Sequence, residues 1–397
     1  MRVCHIAPSF YPAHVYGGPI QTLYHLCLHV ARKGCEVRVL TTDANGREAV
    51  LNVEKEAEIE LADRLHVRYC ERVISHSVSP ELISELLRYI RWADVVHVTG
   101  VYSFPTIPAL FACRLLDKPV VWSPHGALQR WRGTTRLHLK ALWESICCFV
   151  KPSKLVLYVS SEEEARESSN RFPRVRTAII PNGIEVPERL SHVTAKGTLR
   201  LLYLGRLDPI KGIELLLEAC SILSSILNGR IADLRGNDDP SVESAGSWSL
   251  TLAGGGDPAY ARNLRAMIER WGLSENVKMV GEVHGEFKER IFENADVVVV
   301  PSHRENFGMV VAEALAHSLP VIASTGTPWK RLQEIGCGLW VDNDSRSLAA
   351  AIQQIWQMPR NEMGSRGQMW MRNEFSWQSR AEDTIELYRT LLGCESS

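Results

Sequence analysis

Short apolar runs alternate with longer amphipathic segments along almost the whole chain. The first run, 3–7, is followed by a segment to about Arg32 whose apolar residues recur at helical spacing. Because the runs are apolar at successive positions, they predict strands buried on both faces, as in a parallel sheet covered by helices on each side. In the first half the predicted strands are 3–7, 37–41, 65–69, 94–98, 119–122, 155–159 and 178–180.

The pattern restarts after the turn signal Pro181-Asn182-Gly183 and a polar, irregular stretch at 190–199, which we interpret as a connector. A Gly-, Asp- and Ser-rich stretch at 228–247 lacks apolar periodicity and is interpreted as a surface insertion. The second series of predicted strands is 200–204, 250–253, 277–280, 297–300, 321–323 and 339–341.

Two α/β domains are therefore predicted, which is also the default for a chain of 397 residues. Their expected bounds are 1–182 and 183–375, and an amphipathic helix at 376–397 can pack on its own domain or back on the first. We expect two Rossmann-like parallel-sheet domains facing each other across a cleft. Ligands of such sheets bind outside the carboxyl ends of the strands, where every candidate residue below is expected.

Composition narrows the function classes. Lys and Arg total 45 against 46 Asp and Glu, so no global field favours a nucleic-acid partner. The first residues already have the pattern of a strand, so no signal peptide is expected. The ten cysteines lie mostly in apolar or helical runs, without zinc-ligand spacing, which favours a reduced, cytosolic protein. No apolar run reaches the roughly 18–20 residues that span a bilayer, so any membrane association is expected to be peripheral.

Two carboxylates eight residues apart, Glu305 and Glu313, are the most informative feature. A predicted strand leads into Phe307-Gly308 and then into an apolar helical run. This places a helix N-terminus, which suits a diphosphate, beside a carboxylate that accepts hydrogen bonds from sugar hydroxyls. Eight residues are just over two helical turns, so both carboxylates are expected on roughly one face. The alternative for Glu313 is an ordinary glutamate on a helix surface.

Arg206 and Lys211 follow the first strand of the second series, in the sequence Gly205-Arg-Leu-Asp-Pro-Ile-Lys-Gly212. Both heads are close enough in sequence to reach one anion, and a pyrophosphate leaving group needs such charges as its bond breaks. The alternative is that both are solvated surface charges.

Weaker signals lie in the first domain. His125, in Ser123-Pro-His-Gly-Ala127, follows a buried strand and can offer a hydrogen bond to a sugar hydroxyl or reacting centre; the alternative is a satisfied turn histidine. Gly17 and Gly18 expose backbone N–H groups at the first βα turn without forming a dinucleotide fingerprint or a Walker A sequence.

The segment 130–154 holds six Lys or Arg and one acid, Glu144, with Trp131 and Trp143 among them. Such a basic, aromatic face can rest on anionic lipid headgroups. It is equally the pattern of an amphipathic helix with a solvated face.

Together these motifs resemble the retaining GT4 (family 4) glycosyltransferases of the GT-B fold, over nearly the whole chain. The Glu305/Glu313 element is quite specific, the Arg206/Lys211 element less so, and the His125 and Gly17-Gly18 turns are suggestive. The resemblance implies a nucleotide diphosphate sugar as donor, bound mainly by the second domain, and an acceptor held by the first. It implies that no metal or cofactor is needed. It also implies that the acceptor attacks on the same face from which the phosphate leaves, and that the leaving phosphate takes the acceptor's proton.

The resemblance also assigns roles to residues. Arg206 and Lys211 would hold the diphosphate, Glu305 the donor sugar and Glu313 the ribose. One departure is Ser318, where the family usually has a helix-capping glycine, so a slightly different turn is expected there. His125 would face the donor sugar and is a catalytic candidate together with Arg206, Lys211 and Glu305. The remaining donor-binding residues implied are Gly17 and Gly18 over the phosphates, Val283 near the base, and Asn306, Phe307, Gly308 and Met309 around the sugar and phosphate.

The resulting prediction is a glycosyltransferase acting on a glycan or lipid-linked acceptor in surface polysaccharide biosynthesis, cytoplasmic, with the inner face of the plasma membrane as its candidate location. A sugar-nucleotide epimerase or hydrolase on the same scaffold, and a non-catalytic binding module, are the alternatives. An epimerase needs a second pair of acid/base carboxylates, which the sequence does not clearly offer. The sequence does not identify the nucleotide base and sugar of the donor, the acceptor or the oligomeric state.

Overall fold

The structure is a computed structural model that describes residues 1–46, 48–55, 57–74, 77–130, 134–188, 197–227 and 247–393. The predicted insertion at 228–247, apart from its last residue, and most of the connector at 190–199 lie outside the described residues, as do Trp131 and Arg132.

The chain divides into two compact units. The first unit comprises Met1–Gly183 together with Trp377–Ser397, and the second unit is Ile184–Ser376. The C-terminal helix, whose place the sequence left open, therefore belongs to the first unit, where it packs on the first long helix of the chain.

The first unit contains an eight-stranded sheet in the order β3-β4-β2-β1-β5-β6-β7-β8. All neighbouring strands are parallel except the edge pair β3–β4, which is antiparallel. The sequence analysis missed β3, because its alternation lies in a glutamate-rich stretch with few apolar residues. The strands are β1 Arg2–Ile6, β2 Glu36–Thr42, β3 Ile59–Ala62, β4 Leu65–Cys70, β5 Val95–Thr99, β6 Val120–Ser123, β7 Leu155–Val159 and β8 Arg176–Ile179.

Helices cover both faces of this sheet, as the continuous apolar strands require. Adjacent residues of β1 point to opposite faces: Val3 joins an apolar cluster with α1 and α13, and Cys4 joins another with α2, α3 and α4. The helices are α1 Gly18–Arg32, α2 Pro80–Trp92, α3 Thr106–Leu115, α4 Leu137–Val150, α5 Glu162–Arg171 and α13 Trp377–Leu392.

The second unit contains a six-stranded, wholly parallel sheet in the order β11-β10-β9-β12-β13-β14. Helices again pack on both faces, with α6, α7 and α11 on one apolar cluster and α8, α9, α10 and α12 on the other. The strands are β9 Thr198–Leu204, β10 Ser247–Ala253, β11 Val277–Gly281, β12 Val297–Val300, β13 Val321–Ser324 and β14 Gly338–Val341. The helices are α6 Ile213–Leu227, α7 Pro258–Arg270, α8 Gly285–Glu293, α9 Met309–Ala316, α10 Arg331–Ile335, α11 Ser345–Trp356 and α12 Arg360–Glu374.

The strand order of the second sheet reverses between β9 and β12, which lie side by side and pair Leu201 with Val297. In open parallel sheets such a reversal leaves a crevice at the carboxyl ends of the two strands, because the connections leave toward opposite faces. The loop that follows β9 contains Arg206 and Lys211, and the loop that follows β12 contains Glu305. The topology therefore brings the two most informative sequence motifs to one place.

Candidate functional site

The loops after β9 and β12 are packed against each other through backbone. The amide of His303 donates to the carbonyl of Ile210 over 2.8 Å. Gly212 has a φ of 63°, and a Cβ there would lie 2.2 Å from the carbonyl oxygen of Pro301. No side chain fits at such an approach, so this glycine is required for the two loops to meet.

Lys211 and Glu305 form an ion pair at this junction. Lys211 Nζ lies 2.6 Å from Glu305 Oε1, and the hydroxyl of Ser302 donates to the same oxygen over 2.7 Å. Both charged side chains are largely buried. The backbone of Glu305 is fixed as well, since its amide donates to the carbonyl of Gly326 over 2.9 Å. The carboxylate is thus held in one orientation, with its charge compensated.

Arg206 is placed differently. Its side chain is 75% exposed, and its nearest acid is Asp208, with 3.8 Å between Nη1 and Oδ2. Its backbone is anchored, because the hydroxyl of the buried Tyr203 donates to the Arg206 carbonyl over 2.8 Å. The structure therefore gives Arg206 and Lys211 different acidic partners, Asp208 and Glu305. That both cations hold one anion stays a prediction.

Helix α9 begins after Gly308, whose φ of 79° is left-handed and whose backbone forms the cap without a side-chain hydrogen bond. The preceding carbonyl, of Phe307, accepts a hydrogen bond from the indole N–H of the buried Trp329. The prediction that both carboxylates share one helix face is wrong for Glu305, because α9 starts only at Met309 and Glu305 lies in the loop before it.

Glu313, inside α9, is paired with a residue that the sequence analysis missed. Lys288 Nζ on α8 lies 2.7 Å from Glu313 Oε1, and both side chains are partly buried. At the C-cap of α9, one turn later, His317 Nε2 lies 2.7 Å from Glu289 Oε2 on α8. A single lysine in a polar helix gives no sequence signal, so this contact could be found only in three dimensions.

The other donor-site residues predicted in the second unit lie around the same loop. Val283 is buried, in the apolar cluster that also contains Phe307, while Asn306 and Met309 are half-buried. The position of Asn306 and Met309 beside Glu305 follows from the chain itself. Val283 reaches the cluster because it follows β11 at the carboxyl end of the sheet.

Ser318 ends α9 in the conformation that a glycine would supply. Its φ is 56°. The amide of Ser318 donates to Leu315 over 3.0 Å and that of Leu319 to Ala314 over 2.9 Å, the two bonds of a Schellman motif. We expected the serine to change the turn, but the left-handed cap is present.

The chain contains one Asp-x-Asp sequence, Asp342-Asn-Asp344, a pattern that a metal-independent interpretation has to account for. Asp344 is the N-cap of α11: its Oδ1 accepts from the amides of Arg346 and Ser347, each over 2.9 Å. Hydrogen bonds to this carboxylate, from Ser347 above all, lower the pKa of Asp344. Its carboxylate therefore has a structural role in this structure.

In the first unit, His125 follows β6 with a left-handed φ of 49°. The turn is held by Glu164, a buried carboxylate that the sequence analysis did not single out. Glu164 accepts from the amide of Gly126, and from the amide and hydroxyl of Ser160 over 2.8 and 2.9 Å. Burial lowers the pKa of His125, and the Glu164 carboxylate acts in the opposite direction.

Behind this turn lies a buried polar cluster. His97 on β5 hydrogen-bonds the hydroxyl of Ser123 over 2.6 Å and that of Tyr388 on α13 over 2.7 Å. His5 on β1 stacks on His97, with 4.5 Å between ring centroids. Burial lowers the pKa of His97 well below its usual range and that of His5 to about 3, so both imidazoles are neutral at pH 7.

Gly17 and Gly18 lie at the β1–α1 turn, as predicted from the sequence. Gly17 has a φ of 71°, and α1 begins at Gly18. A Cβ at Gly17 would meet no atom within 4 Å, so its backbone is open to approach from that side.

Two family models match the chain. The model described as glycosyl transferases group 1 matches residues 188–370, and the one described as glycosyltransferase family 4 matches residues 16–187. Together they span nearly the whole chain, with their junction close to the boundary between the two units. The chain belongs to the family 4 glycosyltransferases.

The curated relatives of this chain are also glycosyltransferases. It is 25% identical over 407 residues to a GDP-mannose:cellobiosyl-diphosphopolyprenol alpha-mannosyltransferase of Xanthomonas oryzae pv. oryzae, covering 99% of this chain and 98% of the relative. It is 26% identical to a phosphatidyl-myo-inositol mannosyltransferase of Mycobacterium leprae, covering 98% and 97%. A D-inositol 3-phosphate glycosyltransferase of Geodermatophilus obscurus is 28% identical over 247 residues, where the match covers 58% of this chain and about half (52%) of the relative.

Solved structures show the fold. Sucrose-phosphate synthase of Thermosynechococcus elongatus superposes with a TM-score of 0.75 and 21% identity, over 100% of both chains. Anabaena HepE, solved in complex with UDP-glucose, superposes with a TM-score of 0.67 and 16% sequence identity, over 98% of this chain and 100% of that one. The predicted fold class, two parallel-sheet α/β domains of the GT-B type, is confirmed. The findings do not favour the epimerase or hydrolase alternative.

Two remaining predictions concern the membrane and the cysteines. Within the described part of this glycosyltransferase, no helix is both long and apolar enough to cross a bilayer. The nine cysteines located there are free, and all but Cys148 are buried.

Of the predicted basic segment, Arg130 is paired with the buried Glu144 and donates to the hydroxyl of Tyr102 over 2.7 Å, so this cation stabilises the fold and is not a solvated charge.

Proposed function

We propose that this glycosyltransferase moves a sugar, with retention, from a nucleotide diphosphate sugar to a glycan or lipid-linked acceptor, without a metal ion, in surface polysaccharide biosynthesis. The observation that supports this most is the junction of the β9 and β12 loops. There Lys211, Glu305 and the α9 N-terminus lie at the point where the sheet reverses. Cation, helix terminus and carboxylate are the groups that a diphosphate joined to a sugar requires.

The chemistry follows from these groups. As the bond between the sugar's anomeric carbon and the diphosphate oxygen breaks, negative charge develops on that oxygen. Lys211, the exposed Arg206 and the N–H groups at the start of α9 stabilise this charge. The acceptor hydroxyl attacks the anomeric carbon on the same face and gives its proton to the departing phosphate. No side-chain nucleophile is needed.

Donor binding must exchange one set of contacts for another. In this structure Lys211 and Glu305 compensate each other, at 2.6 Å. We infer that a donor phosphate takes Lys211 while sugar hydroxyls donate to the released Glu305 oxygen, so no charge is left unpaired. In the same way, ribose hydroxyls would donate to Glu313, which Lys288 orients.

The relatives support the donor and acceptor classes. The Xanthomonas relative carries GDP-mannose and a diphosphopolyprenol in its name, and HepE was solved with UDP-glucose. The proposal includes the roles that the resemblance implies for His125, Gly17 and Gly18. It also includes a cytoplasmic location, in peripheral contact with the inner face of the plasma membrane, where a lipid-linked acceptor is found.

The test is a thermal-shift screen of the protein against UDP, GDP, ADP and their sugars. A ligand at 100 times its dissociation constant stabilises the native state by about 2.7 kcal/mol, so the correct nucleotide should stand out. With that donor, release of the nucleoside diphosphate should depend on an added acceptor. If no nucleotide shifts the melting temperature, or if the donor is only hydrolysed or epimerised, the proposal fails.

A further inference from the structure

Helix α4 presents apolar residues to solvent, the reverse of the usual surface helix. Four large side chains follow one another at intervals of three, four and three residues, which places them in a single stripe. They are Leu139, Leu142, Ile146 and Phe149, which are 63, 59, 38 and 77% exposed. Glu144, Cys147 and Val150 of α4 are buried, so the helix packs on the first unit on one side and exposes this stripe on the other.

The stripe continues onto the neighbouring helix α3. The Arg114 guanidinium lies 5.7 Å from the centroid of the Phe149 ring and donates to the Phe149 carbonyl, which joins the ends of the two helices. Phe111 and Leu115, which flank Arg114 on α3, are 49 and 65% exposed. We call the six side chains the α3–α4 apolar face: Phe111, Leu115, Leu139, Leu142, Ile146 and Phe149.

The charges beside this face have one sign along 134–154. The single acid of that segment, Glu144, is buried against Arg130. The basic residues are Arg136 and Lys154, which are exposed, and Lys140 and Lys151, which are half-buried. Asp117, just after α3, offsets the charge of Lys154, with 3.5 Å between Asp117 Oδ2 and Lys154 Nζ. Arg136 and Lys151 are therefore the cations that are best placed to meet an anionic surface.

We propose that the α3–α4 apolar face docks on a membrane surface rich in anionic lipids. The apolar side chains enter the boundary between headgroups and acyl chains, while Arg136, Lys140 and Lys151 stay among the headgroups. The stripe from Leu139 to Phe149 is about 15 Å long at 1.5 Å per residue, so α4 lies along the surface and does not span it.

The charge pattern favours a bilayer over a second copy of the chain. Two copies joined through this face would bring like-charged residues together, which is unfavourable. An anionic bilayer offers the opposite charge directly above an apolar layer. This inference extends the proposed function, because a lipid-linked acceptor is held in the same surface, but vesicle binding itself requires neither donor nor transfer.

The test is co-sedimentation of the full chain with vesicles of phosphatidylcholine and phosphatidylglycerol, and with phosphatidylcholine alone. Wild type should sediment with the anionic vesicles, and less with the neutral ones. Leu142→Ser/Phe149→Ser should lower the partition coefficient at least about tenfold, because two exposed apolar side chains lose their burial in the membrane. Arg136→Glu/Lys151→Glu should also weaken binding, with a difference from wild type that shrinks as salt is added.

A matched control is Phe287→Ser/Met369→Ser, in which two side chains of the second unit that are half or more exposed lose the same apolar character. This variant should sediment like wild type. The proposal is overturned if wild type fails to sediment with anionic vesicles, or if the α4 serine variant binds as well as wild type. It is also overturned if wild type is a dimer that this variant converts to monomers. The nucleotide-induced thermal shift, measured without vesicles, reports separately on the proposed function.

Discussion

The two units differ in the charge of the polar residues in and around their sheets. The second unit has two ion pairs that are partly open to solvent, Lys211 with Glu305 in the loops after β9 and β12, and Lys288 with Glu313 between α8 and α9. The first unit keeps two neutral imidazoles inside its sheet, on β1 and β5, because burial lowers the pKa values of His5 and His97.

The difference separates residues that a ligand can rearrange from residues that the fold has fixed. An ion pair at a partly open edge can exchange its partners for a phosphate and hydroxyls. A buried, neutral imidazole stays neutral unless the unit opens, because charging it without a partner is costly. Substitutions of Lys211, Glu305 and Glu313 should therefore act mainly on binding and transfer, and those of His5 and His97 mainly on stability.

The largest expected effect is at Glu305. Glu305→Gln keeps the size of the side chain but removes the charge, and we expect transfer to fall by roughly 100-fold or more, the range for losing one preorganised contact to the reacting group. Initial rates with the donor found by thermal shift measure this. Glu286→Gln, an exposed change on α8, should leave the rate unchanged. Normal turnover by the Glu305→Gln variant would refute our assignment of the sugar contact.

Arg206→Ala should weaken binding of the nucleoside diphosphate by about 1.5–3 kcal/mol, the usual contribution of a charge-assisted hydrogen bond. Because Arg206 is 75% exposed, the melting temperature without ligand should not change. Calorimetric titration gives the affinity, and Arg262→Ala on α7, also exposed, is the control. Equal affinities for the two variants would show that Arg206 is only a surface charge.

The first unit should lose stability as the pH falls. The pKa of His5 is lowered to about 3 from 6.5, so between these values the unfolded chain binds the proton that the folded chain does not. Neutral His5 therefore contributes fully to the free energy of unfolding above pH 6.5. This contribution decreases below pH 6.5 and is smaller by about 2 kcal/mol at pH 5. Urea unfolding of wild type and His5→Gln at pH 7 and 5 measures this. A wild type whose pH dependence matches that of the variant would contradict the buried, neutral state.

Ser318→Gly should give the smallest effect, a gain. Glycine adopts the left-handed cap at φ 56° without strain, so we expect the variant to be more stable by roughly 0.5–1 kcal/mol. Ser318→Ala removes the same hydroxyl but keeps the Cβ, and it should show no gain in urea unfolding. Both variants should transfer sugar at the wild-type rate, since the cap lies beyond the candidate site.

The sequence predicted the elements better than the contacts. Apolar runs located thirteen of the fourteen strands in the described residues, because burial on both faces leaves a continuous signal, whereas the edge strand β3 was missed. The motifs around Glu305 and Arg206 were found because their residues are close together in the chain.

Partners far apart in sequence were not found. Lys211 and Glu305 were both named, yet their mutual pairing across 94 positions was not foreseen. Lys288, 25 residues from Glu313, and Glu164, 38 from Gly126, were missed because an isolated Lys or Glu has many possible partners until the fold selects one. The helix-face argument failed because a spacing of eight does not reveal where a helix starts.

The return of α13 to the first unit has a consequence for biosynthesis. Its Tyr388 hydroxyl bonds His97 of the central strand β5, and α13 packs on α1, yet α13 is translated after the entire second unit. On the ribosome, the unit that begins the chain is the last to receive all its parts. A transcript that ended before the codon for Trp377 would encode the complete second unit, but a first unit without the helix α13 that covers part of its sheet.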